Sequence, residues 1–180
     1  MKMLYIANLR LPTEKAHGIQ IMKACEAFVR AGNELELIVP ARTSPIHADS
    51  FDYYGIKTRF PLSRLFTVDT IGLGAIGYIF QSLLFCLASC LNIWRHEADI
   101  MYGRDEIVLA VIALLSRRKF IWESHDGSWN WWAQYVAQRA SGIVVVTAGA
   151  VDFYVERGVP REKLLAVSNG IDLDDFADPE

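Results

Sequence analysis

Met3-Leu4-Tyr5-Ile6-Ala7, a polar loop from Asn8 to Gly18, a helix from about Ile19 to Ala31, and Leu35-Glu36-Leu37-Ile38-Val39 open the chain in that order. The order decides the fold. The helix is read from Ile19, Met22, Cys25 and Phe28, which recur at helical spacing, with Gln20, Lys23, Glu26 and Arg30 as its wet face. Gly32 stops it in the C′ position, and Pro40 ends the second apolar run. Strand, helix, strand at this spacing is a βαβ unit, whose strands must be parallel and whose crossover is right-handed.

Working outward, the alternation continues. Tyr53 to Phe60 reads as a short strand, Ile79 to Trp94 as a helix and Asp99-Ile100-Met101-Tyr102 as a strand. A very apolar helix from Glu106 to Leu115 precedes a strand over Lys119 to Glu123, then a helix from Trp129 to Arg139 capped by Ser128. Ile143 to Val146 is almost purely β-branched, the mark of a buried central parallel strand. Thr147 caps a helix that Gly158 closes, and Leu164 to Val167 is a last short strand. Strands alternating with helices throughout predict an α/β fold, a doubly wound parallel sheet of the Rossmann-like type. The end of the chain, Ile171 to Glu180, is acidic and turn-rich. It reads as a linker, which divides the chain into a domain over 1–168 and a linker start over 169–180 and predicts a further domain of ~150–200 residues beyond it.

Length and composition agree with one buried core: 180 residues, 52% hydrophobic and 22% charged. The net charge of -3 supplies no basic face for nucleic acid, so none is expected as a partner. Cys25, Cys86 and Cys90 are odd in number and have no zinc-like His spacing, so they read as reduced, packed thiols in a cytoplasmic protein. The N-terminus passes straight into the first strand without the apolar core and cleavage site of a signal peptide.

Ligands of open α/β sheets bind outside the carboxyl ends of the strands, so the residues just after each strand are the candidates. The first loop ends Glu14-Lys15-Ala16-His17-Gly18-Ile19-Gln20, bringing His17 and Gly18 to a helix N-terminus where unpaired N–H groups favour an anion such as a diphosphate. The plain alternative is a flexible loop in which Gly18 only permits the turn. Ile121-Trp122-Glu123-Ser124-His125-Asp126-Gly127 is the sharper signal: Glu123, His125 and Asp126 cluster directly after a strand. A histidine there can bond a phosphate or sugar hydroxyl, or move a proton near neutral pH. The alternative is an ordinary polar strand end with an Asp126-Gly127 turn. After Tyr102-Gly103, Arg104 can clamp a phosphate or carboxylate or be a surface arginine, and Asp105 reads as the cap of the next helix.

Two motifs mislead. Gly72-Leu73-Gly74-Ala75-Ile76-Gly77 spells the dinucleotide fingerprint, with Glu97 near the distance of a ribose-binding acid. That fingerprint belongs in the first βα turn, which here lacks it, and the hexapeptide sits in an apolar run. A self-contained nucleotide- or dinucleotide-binding module using Gly72–Gly77 is the alternative function it leaves open. Asp172-Leu173-Asp174 resembles a metal-binding pair but falls in the linker and reads as solvated acid, so no metal is expected. Thr70 to Trp94 carries no charge and is long enough to span a bilayer, yet a span would split one sheet across a membrane. The helix over 79–94 is therefore either buried or lies in a membrane interface, with Arg59, Arg64 and Arg95 near its ends; burial is the simpler reading.

Three stretches together resemble the N-terminal domain of family 4 glycosyltransferases: Pro12 to Gln20 with Glu26-Ala27-Phe28 at the end of the following helix, Glu123-Ser124-His125-Asp126, and Gly158-Val159-Pro160 through Ser168-Asn169-Gly170-Ile171-Asp172 to Phe176. The resemblance covers the whole chain. It implies one half of a GT-B fold and the retaining transfer of a sugar from a nucleotide-sugar donor to a sugar or lipid-linked acceptor, with no metal or other cofactor. In such enzymes this domain mostly holds the acceptor. Gly18 then approaches the donor diphosphate, and His125 sits beside the transferred sugar as the catalytic residue. His17, Arg104, Asp126 and Glu123 complete the expected substrate-binding set. The paired glutamates of the second domain are absent, so the chain alone is expected to be inactive. Trp129, Trp131 and Trp132, with residues 79–94, mark where the domain would touch the cytoplasmic face of a membrane.

Overall fold

In a computed structural model that describes residues 1–116, 118–125, 127–168 and 170, seven strands build one sheet. They are β1 (Lys2–Ile6), β2 (Glu34–Pro40), β3 (Leu62–Leu65), β4 (Ile100–Gly103), β5 (Phe120–Ser124), β6 (Gly142–Val145) and β7 (Leu164–Ala166). Every neighbouring pair is parallel, in the order β3-β2-β1-β4-β5-β6-β7. Parallel pairing demands crossovers, and six helices supply most of them: α1 (Ala16–Arg30), α2 (Ser50–Tyr53), α3 (Gly74–Arg95), α4 (Glu106–Leu115), α5 (Trp131–Arg139) and α6 (Ala148–Val155). The expected α/β, doubly wound, Rossmann-like sheet is therefore what the chain forms.

Side chains alternate across each strand, and the alternation divides the core in two. Leu4 and Ile6 face a cluster completed by α3, α4, α5 and α6, with Phe85, Ile112, Trp122, Val136 and Tyr154 at its centre. Met3 and Tyr5 face the opposite cluster, in which α1 contributes Ile21, Met22 and Cys25. Each such fully buried side chain contributes roughly 1.5–3 kcal/mol of burial free energy. The three cysteines are buried free thiols, and burial pushes all three thiols upward.

The structure corrects several local expectations. Tyr53 to Phe60 is not a strand: Asp49 accepts from the N–H groups of Phe51 and Asp52 and starts α2, and Gly55, at φ 61°, turns the chain after it. The edge strand comes later, at Leu62–Leu65. The loop between is held by Glu26, which is buried rather than on a wet face and accepts from the backbone N–H of Lys57 and Thr58. Ile19, expected on the core side, is exposed. The cap of α5 is Asn130, accepting from Ala133 N–H, while Ser128 donates to Glu106. Thr147 caps α6 as expected, and Asp105 caps α4 through Val108 N–H.

The largest surprise is α3. It begins at Gly74, so Gly74 and Gly77 lie inside it rather than in a βα turn. A side chain on Gly77 would strike the carbonyl of Thr70, whose hydroxyl donates to the Gly77 carbonyl, so that glycine serves a close backbone approach. The simple burial expected of this helix does not hold. Only its inner face, with Phe85, Cys86, Cys90 and Ile93, packs on the sheet; Ile76, Phe80, Leu83, Leu87, Leu91 and Trp94 point outward. Residues 171–180, with Asp172 and Asp174, lie outside the described residues.

Candidate active site

The strand order reverses between β1 and β4, and an open parallel sheet splays its following loops apart at that point. A cavity of about 480 Å³ opens there. Asn8 comes from the loop after β1, Arg104 and Asp105 from the loop after β4, and Glu123 and His125 from the end of β5; His17 and Gln20 reach in from α1, Tyr78 from α3. Register brings the charged groups together. Gly103 pairs with Trp122, so the next residues on the two strands, Arg104 and Glu123, emerge side by side.

Glu123 is the hub. Arg104 grips it with two hydrogen bonds, Nε to Oε2 at 3.0 Å and Nη2 to Oε1 at 2.8 Å. His125 Nε2 lies 2.7 Å from Oε1, and the Tyr5 hydroxyl donates to Oε2 at 3.2 Å. Burial pushes the Glu123 carboxyl upward, but the hydrogen bonds and positive charges of His125 and Arg104 outweigh it and hold the group at about 2. Glu123 is thus an anion at neutral pH and can only accept. The proton on the shared edge therefore belongs to His125 Nε2, which leaves Nδ1 without a partner among the described residues. The third arm of Arg104 donates to Gln20 at 3.2 Å, tying the cluster to α1.

A second, more neutral network forms the opposite wall. Gln81 donates to Asn8 Oδ1 and Asn8 donates to Ser82, fastening α3 to the loop after β1. Burial pushes the Asp105 carboxyl up, against hydrogen bonds from Val108 N–H, Tyr78 and Asn8. Burial also pushes the Tyr78 hydroxyl up to about 12, so it stays a neutral donor to Asp105. Trp122, at the base of the cavity, keeps a buried indole N–H with no partner among the described residues.

Of the residues singled out in the sequence, His125, Glu123, Arg104 and His17 meet in this cavity. Burial, with Lys15 and Arg104 nearby, pushes the His17 imidazole down, which keeps it neutral. Gly18 is not in the cavity wall. It is buried at the start of α1, where a side chain would strike the Tyr54 hydroxyl and Thr13, and its N–H already donates to the Lys15 carbonyl. Any anion at this helix end must use other N–H groups. Asp126 lies outside the described residues. Gly72–Gly77 do not line the cavity; only the next residue, Tyr78, does. Asn8, Gln20, Tyr78 and Trp122 are among the wall residues that sequence reasoning missed, although Asn8 lies just after β1, where the same rule applies.

Among the described residues no three His, Cys, Asp or Glu side chains gather as metal ligands. No curated protein sequence matches this chain. Solved structures share its fold. One is Anabaena Alr3699/HepE in complex with UDP and glucose, at 15% identity and a TM-score of 0.65, covering 97% of this chain and 46% of that one. Another is the lipopolysaccharide outer core galactosyltransferase WaaB, at 15% identity and 0.63, covering 95% and 46%. A third is a UDP-GlcNAc 2-epimerase from Neisseria meningitidis bound to UDP-GlcNAc, at 9% identity and 0.69, covering 94% and 46%. The chain thus spans about half the length of each. An epimerase among them means that the fold alone does not select transfer chemistry, and the sequence must decide. The model of the Glycosyltransferase Family 4 domain matches residues 18–175, nearly the whole sheet and its helices. This chain belongs to Glycosyltransferase Family 4.

Proposed function

We propose that this chain is the acceptor-side half of a retaining, hexosyl-transferring enzyme that moves a sugar from a nucleotide-sugar to an acceptor in the cytoplasm, in polysaccharide or glycolipid synthesis. The observation that carries the reading is the cluster of His125, Glu123 and Arg104 at the topological switch point of a Family 4 domain. The solved structures with UDP, glucose or UDP-GlcNAc support a nucleotide-sugar as the donor class. A donor-binding domain would close over the carboxyl ends of the strands, and the isolated half would then be inactive.

In that closed site the sugar–phosphate bond breaks as a bond to the acceptor oxygen forms; the bonding pair leaves with the diphosphate, whose departing oxygen takes the acceptor proton. His125 is held by Glu123 through Nε2, and Nδ1 has no partner among the described residues. The neutral ring accepts from a sugar hydroxyl; the protonated ring offsets charge on the departing diphosphate. Either contact accelerates the reaction only insofar as it strengthens in the transition state. Arg104 is already neutralised by Glu123, so its role is to position that carboxylate; His17, in the cavity wall, and the N-terminal N–H groups of α1 are the groups we assign to a diphosphate.

A thermal-shift panel of nucleotide-sugars, sugar phosphates and nicotinamide dinucleotides tests the reading against the dinucleotide alternative. Stabilisation by nucleotide-sugars or sugar phosphates, abolished by His125→Ala, is expected. Stabilisation by dinucleotides alone, sensitive to Gly72 or Gly74 substitution, would favour the other module.

A further inference from the structure

Helix α3 is amphipathic the wrong way round for a helix facing water. Its polar residues Gln81, Ser82 and Ser89 are buried against the protein and Asn92 is half-buried, and Gln81 Oε1, Ser89 Oγ and Asn92 Oδ1 have no partner among the described residues. Its outward stripe is Ile76, Ile79, Phe80, Leu83, Leu87 and Leu91, ending in Trp94, which is 63% exposed. No charged residue occurs between Asp69 and Arg95. The helix has 22 residues and so runs about 33 Å. The patch widens at both ends: Phe66 precedes the helix, 80% exposed, and Leu114 and Leu115 at the end of neighbouring α4 are also exposed. A water-soluble surface of this kind would be expected to have a cover.

The chemistry of the stripe selects the cover. Protein interfaces carry about one hydrogen bond per 100–200 Å², but this stripe presents no side-chain donor or acceptor except the Trp94 indole, since Tyr78 already bonds Asp105. Hydrocarbon asks for none. At the far end of the helix the charge turns positive. Arg95 and Lys119 are exposed there, and Arg118, whose guanidinium donates to the carbonyls of Ile93 and His96, shares a groove of about 580 Å³ with Leu114 and exposed Arg139. Glu97 and Asp99 offset part of this, and Asp99 accepts the Lys2 N–H. Only 28% of the most apolar window is buried, but Phe85, Cys86, Cys90 and Ile93 pin the inner face to the sheet, so α3 lies along a surface and does not cross a bilayer.

We propose that the outer face of α3, from Ile76 to Trp94 with Leu114 and Leu115, seats this protein on an anionic lipid bilayer, with Arg95, Lys119 and Arg139 against the headgroups. Trp131 is exposed on α5, whereas Trp129 packs on Phe153 and Tyr154 and stays out of the contact. The seat backs the cavity wall, because Gln81, Ser82 and Tyr78 hold Asn8 and Asp105. On the transferase reading, and only on it, this brings an amphiphilic acceptor to the mouth of the cavity.

The test is co-sedimentation of the chain with vesicles of phosphatidylcholine, with and without phosphatidylglycerol, at low and high salt. Turnover plays no part, so failure here leaves the transferase reading standing. The chain should bind the anionic vesicles at low salt. Leu83→Gln with Leu87→Gln, both outward-facing, should keep the circular dichroism and melting of the parent and weaken binding roughly tenfold or more. Removing Arg95 and Arg139 should weaken it about fivefold for each cation. Tryptophan quenching by brominated lipid should fall in Trp94→Phe. Three results would overturn the proposal: a folded chain that stays in the supernatant, a leucine variant that binds as tightly as the parent, or a dimer in solution that the leucine variant dissolves.

Discussion

Replacing Glu123 by glutamine removes one negative charge from between His125 and Arg104 while keeping the shape of the side chain. In the native cluster the carboxylate accepts from Arg104 twice, from His125 and from Tyr5. Its amide successor must turn an NH2 group toward one of those donors. The fall of the Glu123 carboxyl from an ordinary 4.5 to about 2 corresponds, at 1.36 kcal/mol per pH unit, to roughly 3 kcal/mol of stabilisation as an upper figure. A loss of about 2–3 kcal/mol at neutral pH follows, equivalent to roughly 5–10 °C in melting temperature for a chain of this size. The sign with pH is definite. The folded carboxyl lies below its unfolded value, so the stabilisation is fully present above about 4.5 and is lost as pH falls toward about 2. The glutamine cannot titrate, so the gap between parent and variant should be widest near pH 7 and close toward pH 2. Denaturant unfolding of both proteins across that range is the assay. Equal stability at pH 7, or a gap that persists unchanged at pH 2, would refute the ion cluster as described.

Four further substitutions probe the scaffold. Gly18→Ala forces a methyl into the Tyr54 hydroxyl, which both donates to and accepts from the Thr13 backbone, and should cost about 1–3 kcal/mol in denaturant unfolding. Phe85→Ala empties a fully buried site under α3 and should cost about 3–5 kcal/mol, whereas Leu87→Ala on the outer face should change stability little, a contrast that calorimetry reads directly. Asp105→Ala removes the cap on Val108 N–H and should cost about 0.5–2 kcal/mol by the same assay.

Much of the fold is legible in the sequence because parallel strands buried on both faces read as unbroken apolar runs. Met3 to Ala7 and Ile143 to Val146 are such runs, Leu35 to Val39 is broken only by Glu36, and all three fall on strands of the sheet. Tyr53 to Phe60 misleads for a physical reason. Tyr54, Ile56 and Phe60 are buried as a strand's would be, but the chain reaches them through the turn at Gly55 and a loop tied to Glu26, a contact 31 residues apart that no local pattern carries. The ends of β4 and β5 are legible as candidate positions, and Arg104, Glu123 and His125 are visible there one by one. Their mutual bonding is not, since it depends on the register that places Gly103 beside Trp122. Periodicity finds the stripe on α3 but cannot say which side faces the sheet when both sides are uncharged. The polar residues on the buried side reverse the usual inference.

Sugar transfer at the switch-point cavity through His125, as proposed, is tested by the turnover of His125→Ala in a protein that joins this domain to a donor-binding domain, measured together with its melting temperature. Loss of a donor or acceptor of this kind should lower turnover by about 100-fold or more, while the melting temperature falls by less than in Glu123→Gln because Arg104 and Tyr5 still satisfy Glu123. Near-normal turnover with a lowered melting temperature would show that His125 serves stability and not transfer.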